Sequence, residues 1–147
     1  MGAHSLFIYG TLRDGDVLSA VLGHDCANLT ICEGEAPFMQ VLQVAHVDYP
    51  CLRQGKDDDV AEGALLSDLS DEDIRKLDQF EGENYKRMPL EVIADRKLVK
   101  TQAYFPLIEL ETAGFWSFEA WRLNGRDGFM ARDFNLAGVR KPDNEAS

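Results

Sequence analysis

The stretch Leu69-Ser70-Asp71-Glu72-Asp73-Ile74-Arg75-Lys76-Leu77-Asp78-Gln79-Phe80-Glu81-Gly82 decides the fold class. Ser70 is a strong N-cap, because its side-chain oxygen can satisfy an N–H of the first turn that has no helical acceptor. Asp71, Glu72 and Asp73 then sit at the positive end of the helix dipole. Leu69 can staple onto Ile74 across the cap, Ile74, Leu77 and Phe80 fall on one face, and Gly82 supplies a stop. The spacing predicts an amphipathic helix running to about Phe80. On both sides of it the chain reads as strands.

Upstream, Ser5-Leu6-Phe7-Ile8-Tyr9 is a short apolar and aromatic run ending at Gly10, which reads as a buried first strand. Past the turn Gly10 to Asp16, the residues Val17, Leu18, Val21 and Leu22 recur at helical spacing, with Asp14 or Asp16 as N-cap and Gly23 as stop. The loop Tyr9 to Arg13 therefore joins a strand to a helix. Leu29 to Val47 lacks a helical period and is interrupted at Ala36-Pro37, which predicts two strands. A loop follows through Tyr49-Pro50-Cys51-Leu52 and the acidic turn Asp57-Asp58-Asp59, and Val60 to Leu66 resumes as a strand. Downstream, Met88, Leu90 and Val92 alternate with polar neighbours, as do Val99, Thr101, Ala103 and Phe105 beyond the turn at Asp95 to Lys97, which predicts a hairpin. Beyond Pro106, Asn124-Gly125 and Asp127-Gly128 should break any single helix, so one or two short helices are expected, with Phe115, Phe118, Trp121, Phe129 and Phe134 in the core. The polar tail 139–147 should fray. Strands with a few helices, one of them late, indicate an α+β fold, and no repeat or linker divides residues 1–147, which read as a single domain.

Composition bounds the function. The 147 residues are 45% hydrophobic and 28% charged, as in an ordinary globular domain. A net charge of −11 repels phosphate backbones and anionic lipid, so neither nucleic acid nor a membrane surface is expected as a partner. No apolar run is long enough to span a bilayer, and the start lacks the features of a signal peptide, so a cytoplasmic protein is expected. The three cysteines, Cys26, Cys32 and Cys51, form no paired motif, and His4, His24 and His46 show no ligand spacing; reduced, buried thiols and no metal site are expected.

Two places could carry chemistry. Glu81 ends the Ser70 helix beside Phe80 and Gly82, with Tyr85 close behind, and both the negative end of the dipole and aromatic neighbours disfavour an ionised carboxylate. A carboxyl held protonated toward neutral pH suits general acid/base work. A solvated glutamate at a helix end fits the local pattern as well, and Glu83 and Asp78 have similar claims. The turn Tyr9-Gly10-Thr11-Leu12 could aim successive backbone N–H groups at an anion or a developing oxyanion, reinforced by the helix behind it; it also fits a plain tight turn. A nucleophilic pair of Cys51 and His46, and a carboxylate clamp built on Arg13 or Arg87, are further options.

Taken together, Leu6-Phe7-Ile8-Tyr9-Gly10-Thr11-Leu12-Arg13 and Leu77-Asp78-Gln79-Phe80-Glu81-Gly82, with Tyr85 and Arg87, resemble the two signatures of the gamma-glutamylcyclotransferase-like family, most closely the gamma-glutamylamine cyclotransferase branch. Tyr49-Pro50-Cys51-Leu52 and Val60 to Leu65 also look like family segments, so the resemblance covers Ser5 to Phe105. It implies a mixed β-sheet closed into a small barrel with a few flanking helices. It further implies a pocket in which the loop Tyr9, Gly10, Thr11, Leu12 binds substrate and Glu81 is the catalytic acid/base. The implied reaction converts a small-molecule gamma-glutamyl amide or amine into 5-oxoproline and a free amine, without metal or cofactor. A non-catalytic small-molecule or protein-binding domain of the same fold is the alternative, and a related acyl transfer on another gamma-glutamyl conjugate is a third.

Overall fold

A computed structural model describes residues 4–26 and 29–134; the tail expected to fray, 139–147, lies outside them. The elements are β1 (His4–Ile8), a 3-10 turn at Thr11–Arg13, α1 (Gly15–Leu22), β2 (Thr30–Pro37), β3 (Met39–Val44), β4 (Pro50–Gln54), β5 (Val60–Leu69), α2 (Asp71–Glu81), β6 (Tyr85–Ala94), β7 (Lys97–Pro106) and β8 (Thr112–Phe115). From 118 to 133 the chain stays helical, alternating single α-turns with wider π-turns.

The α+β class holds, but the architecture is neither mixed nor a barrel. Five strands pair in the order β1-β5-β2-β6-β7 and three in the order β4-β3-β8, every pair antiparallel. The reason lies in the helical connections. Each crossover skips a place: α1 carries the chain from β1 past β5 to β2, and α2 carries it from β5 past β2 to β6. Strands that run the same way are thus always separated by one running back. Closure fails at two points. At Phe38, φ of 68° turns the chain out of the large sheet; its N–H reaches Asp59 and its carbonyl takes the Gly55 N–H, both at 2.7 Å, which sends β3 and β4 into a sheet of their own. The outer strands β1 and β7 meet through side chains, Ser5 to Thr101 between hydroxyls at 2.7 Å and Tyr9 Oη to the Tyr104 carbonyl at 2.8 Å, where a barrel would have a main-chain ladder.

The large sheet is covered on both faces. Leu6 and Ile8 of β1 join the core with Val17, Leu22, Leu77 and Phe80 of the helices, whereas Phe7 and Tyr9 point into a second core with Val41 and Leu52 of the small sheet. That alternation follows from the period of a strand. Helix α2 forms as its sequence requires. Ser70 Oγ accepts from the Asp73 N–H at 3.0 Å while Asp73 Oδ2 accepts from the Ser70 N–H at 3.1 Å, Leu69 and Ile74 share a core, and Gly82 ends the helix at φ 82°. It runs through Glu81, a residue beyond the expected end. Asp14 caps α1 with Oδ1 on the Asp16 and Val17 N–H groups at 2.9 and 3.1 Å.

Other expectations need correction. Pro50–Gln54 is a strand rather than loop, because it completes the ladder of β3. The glycines at 125 and 128 do not break the helical stretch. Wide turns absorb them, and tertiary anchors hold the segment: buried Trp121 donates its indole N–H to the Asp48 carbonyl at 2.7 Å, and Arg126 reaches Asp14 at 2.6 Å and Asp16 at 3.1 Å. Phe115 is 73% exposed instead of core, while Trp121 and Phe129 are buried. Of the cysteines only Cys51 is buried; Cys26 and Cys32 are partly so. Among the described residues no helix is long and apolar enough to cross a membrane.

Candidate active site

Where β1 ends, Tyr9 stays buried and Gly10 turns the chain beneath Pro50; a Cβ on Gly10 would lie 2.9 Å from the proline Cγ, so only glycine fits without displacement. The turn closes with the Arg13 N–H on the Gly10 carbonyl and the Asp14 N–H on the Thr11 carbonyl, both at 3.0 Å. The N–H groups of Thr11 and Leu12 thus belong to the first turn of a short helix, which has no acceptors of its own for them. Across from this loop, α2 delivers Glu81 as its last residue.

The two segments line one cleft. Its wall comprises Phe7 to Leu12, Tyr49, Pro50, Phe80, Glu81, Tyr85 and Tyr104, around about 420 Å³ of empty space including the open mouth. Each of the residues singled out in the sequence as substrate-binding, Tyr9, Gly10, Thr11 and Leu12, stands on this wall with Glu81. The Glu81 carboxyl is pushed up to about 8, first by burial and then by the negative charge of Asp78. The rise expected from the helix dipole and aromatic neighbours is thus present, with burial and a second carboxylate as its causes. Among the described residues no hydrogen bond holds the Glu81 carboxyl in place, whereas Asp78 is fully engaged. Asp78 takes Arg87 on both oxygens, at 2.7 and 3.1 Å, and the Tyr104 hydroxyl at 2.7 Å. Arg87 also donates to Gln102 at 2.6 Å. The group beside Glu81 is therefore a fixed anion, and Glu81 is the group with a proton to exchange.

The remaining candidates fall elsewhere. Arg87 is committed to Asp78, and Arg13 lies over the Phe118 ring at 4.6 Å in a neighbouring groove. Glu83 is exposed. His46 pairs with Glu111 at 3.9 Å, and burial pushes the Cys51 thiol up to about 11, so these two do not form an activated nucleophile. Asp73 caps α2 and binds His24 at 2.9 Å, while Asp59 folds back on its own turn. No group of three or more potential metal ligands occurs among the described residues. Three wall residues lie outside the two signature segments: Tyr49, Pro50 and Tyr104. Tyr49-Pro50 was read as loop, and Tyr104 sits out of phase with the alternation of Thr101, Ala103 and Phe105. Its signal would have been the hairpin register, which sets it opposite Arg87.

Fold and cleft together define a small α+β protein with a strand-to-helix loop facing a protonatable carboxylate at a helix end. Residues 6–122 match the model of the family described as "Gamma-glutamyl cyclotransferase, AIG2-like", and the chain belongs to that family. It is 29% identical over 134 residues to AIG2-like protein D of Arabidopsis thaliana, covering 86% of this chain and 84% of that protein. Among solved structures, it is similar to the solution structure of an Arabidopsis thaliana protein, with a TM-score of 0.67 at 22% identity over 87% of this chain and 78% of that one. It is also similar to the crystal structure of an AIG2-like protein from Mus musculus, with a TM-score of 0.59 at 19% identity over 78% of this chain and 90% of that one.

Proposed function

We propose that the protein is a cyclotransferase that releases 5-oxoproline and a free amine from a small-molecule gamma-glutamyl amide or amine, acting as one domain without metal or cofactor. The observation that carries this reading is the partly buried Glu81 carboxyl, raised to about 8, on the same cleft wall as the Tyr9 to Leu12 loop.

The substrate carries its own nucleophile. Its α-amine attacks its own γ-carbonyl carbon, a carbon–nitrogen bond closes the five-membered ring, and the amide bond to the leaving amine breaks; no water is consumed. Intramolecular attack within a bound, folded substrate removes most of the entropic barrier. What the protein must supply is proton transfer and charge stabilisation. A carboxyl near 8 lies close to the range of an α-amino group, so Glu81 takes the proton from the attacking nitrogen and returns it to the departing amine without a steep uphill step in either direction. The backbone N–H groups of the Gly10 to Leu12 turn are positioned for the oxygen of the tetrahedral centre or for the substrate α-carboxylate.

The test is to incubate the protein with a panel of γ-glutamyl amides, amines and dipeptides and to assay 5-oxoproline. Release from at least one member, lost in Glu81→Gln, is the expected result. No release from any member would overturn the reading.

A further inference from the structure

Tyr85 opens β6 opposite Pro106 and is buried, with 7% of its surface exposed. Its hydroxyl is one of two buried side-chain polar atoms among the described residues that have no hydrogen-bond partner. The neighbouring tyrosines behave differently: Tyr9 Oη donates to the Tyr104 carbonyl at 2.8 Å and Tyr104 Oη to Asp78 at 2.7 Å. Buried hydroxyls in folded proteins are almost always paired, since an unpaired one keeps the full cost of leaving water. Burial acts first on the Tyr85 hydroxyl, and the ionisable groups that act on it are, in decreasing order, Tyr9, Tyr49, Glu81 and Cys51. The first three line the cleft, as Tyr85 does itself. The unpaired hydroxyl therefore lies among the polar ends of the cleft wall, beside the one carboxyl there with a proton to exchange.

We propose that Tyr85 is a ligand-contacting residue whose hydroxyl donates a hydrogen bond to an oxygen of the γ-glutamyl group held against Glu81. This rests on the reading of the cleft as a γ-glutamyl site. The direction of the bond follows from the chemistry of the ligand: its α-nitrogen is engaged by Glu81, and its carboxylate and carbonyl oxygens are acceptors. Burial disfavours the phenolate, so the hydroxyl keeps its proton and acts as donor. The unfavourable state of the hydroxyl in the empty cleft is relieved when ligand arrives, which makes Tyr85 a residue that gives up stability for binding.

Tyr85→Phe removes one oxygen and leaves the ring. The experiment compares wild type and this variant by thermal unfolding with no ligand, by the thermal shift on adding 5-oxoproline or a γ-glutamyl amide, and by kcat/KM for 5-oxoproline release. The expected result is an unliganded melting temperature equal to or above that of wild type, together with a smaller ligand-induced shift and a kcat/KM lower by about tenfold or more, the scale of one buried hydrogen bond. A variant with wild-type kcat/KM and ligand shift would overturn the proposal. So would one that melts lower than wild type without ligand, because its hydroxyl would then be a structural bond. If wild type releases no 5-oxoproline but is stabilised by these probes, the reaction falls while the thermal-shift comparison still decides the role of Tyr85. If wild type neither turns over nor is stabilised by any probe, both fall.

Discussion

Asp78 holds Arg87 in a two-pronged grip, Nε on Oδ1 at 2.7 Å and a terminal nitrogen on Oδ2 at 3.1 Å. The pair lies in the depression next to the cleft, and Asp78 reaches back from it through α2 to act on Glu81. An arginine that the sequence offered as a carboxylate clamp is thereby used to hold an anion in place behind Glu81.

Asp78→Asn removes that anion. A negative neighbour disfavours ionised Glu81, so its removal lowers the Glu81 pKa from about 8. With Glu81 acting first as base, kcat/KM rises with pH through its pKa, and this limb moves to lower pH in the variant. A pH profile of 5-oxoproline release checks it. A limb that stays where it is in wild type means that Asp78 does not set the proton affinity of Glu81.

Glu81→Gln is expected to lower turnover by about 10²- to 10⁴-fold, the usual range for loss of a general acid/base. Its stability moves the other way. The folded-state pKa of Glu81 is above its unfolded value of 4.5, so between there and about 8 the folded protein holds a proton that the unfolded chain has released. Wild type thus loses stability as pH rises through that window, by at most ~1.4 kcal/mol per pH unit from this group. Glutamine does not titrate. Chemical denaturation at several pH values should therefore show Glu81→Gln gaining on wild type from pH 5 to 8; a constant difference would remove Glu81 from the raised range.

Gly63 in β5 faces the end of β1, where an added Cβ would stand 2.3 Å from the Ile8 carbonyl oxygen and 2.7 Å from the Phe7 ring. Gly63→Ala should cost about 1–3 kcal/mol, as overpacking does. Because Ile8 leads directly into Tyr9 and Gly10, the same displacement moves the loop opposite Glu81. Thermal unfolding together with kcat/KM tests this, and a variant as stable and active as wild type would mean that β1 yields without moving its loop.

Activity should survive a chelator and, separately, iodoacetamide. No group of three potential ligands occurs among the described residues, and Cys51, the thiol nearest the cleft chemistry, is buried with its pKa pushed up to about 11. The assay is 5-oxoproline release after each treatment. Loss on chelation that added metal restores would overturn the metal-free mechanism; loss on alkylation with the fold intact would bring Cys51 into it.

What was legible in the sequence is what local chemistry determines. Ser70, Asp73, Ile74 and Gly82 specify α2 within a dozen residues, and Asp14 and Gly23 bound α1 in the same way. The alternation across Asp95 to Lys97 likewise announces the β6–β7 hairpin. The sheet order was not legible, because each helical connection skips a strand and nothing in Val17 to Leu22 or Ile74 to Phe80 records which strand is skipped. Nor was the helical stretch 118–133, since its glycines are overruled by the distant partners Asp14, Asp16 and Asp48. At the cleft, Tyr9 to Leu12 and Glu81 could be paired through their motifs. Tyr104 lies in neither motif; only the hairpin register opposite Arg87 points to it, and the hydrogen bond that ties it to the cleft comes from Tyr9, 95 positions away.

That bond also bears on how the molecule assembles. β1 is made first, yet its ladder partner is β5 and its side-chain partners Ser5–Thr101 and Tyr9–Tyr104 lie on β7. A chain emerging from the ribosome carries β1 as an unpaired edge until β5 appears, and the loop that faces Glu81 has no anchor at its tyrosine until β7 follows. Contacts of such sequence separation close large loops before any of them is rewarded, which slows folding and leaves the apolar Leu6 to Tyr9 run open to other chains in the meantime. The cleft between that loop and Glu81 is thus among the last parts of the protein to exist.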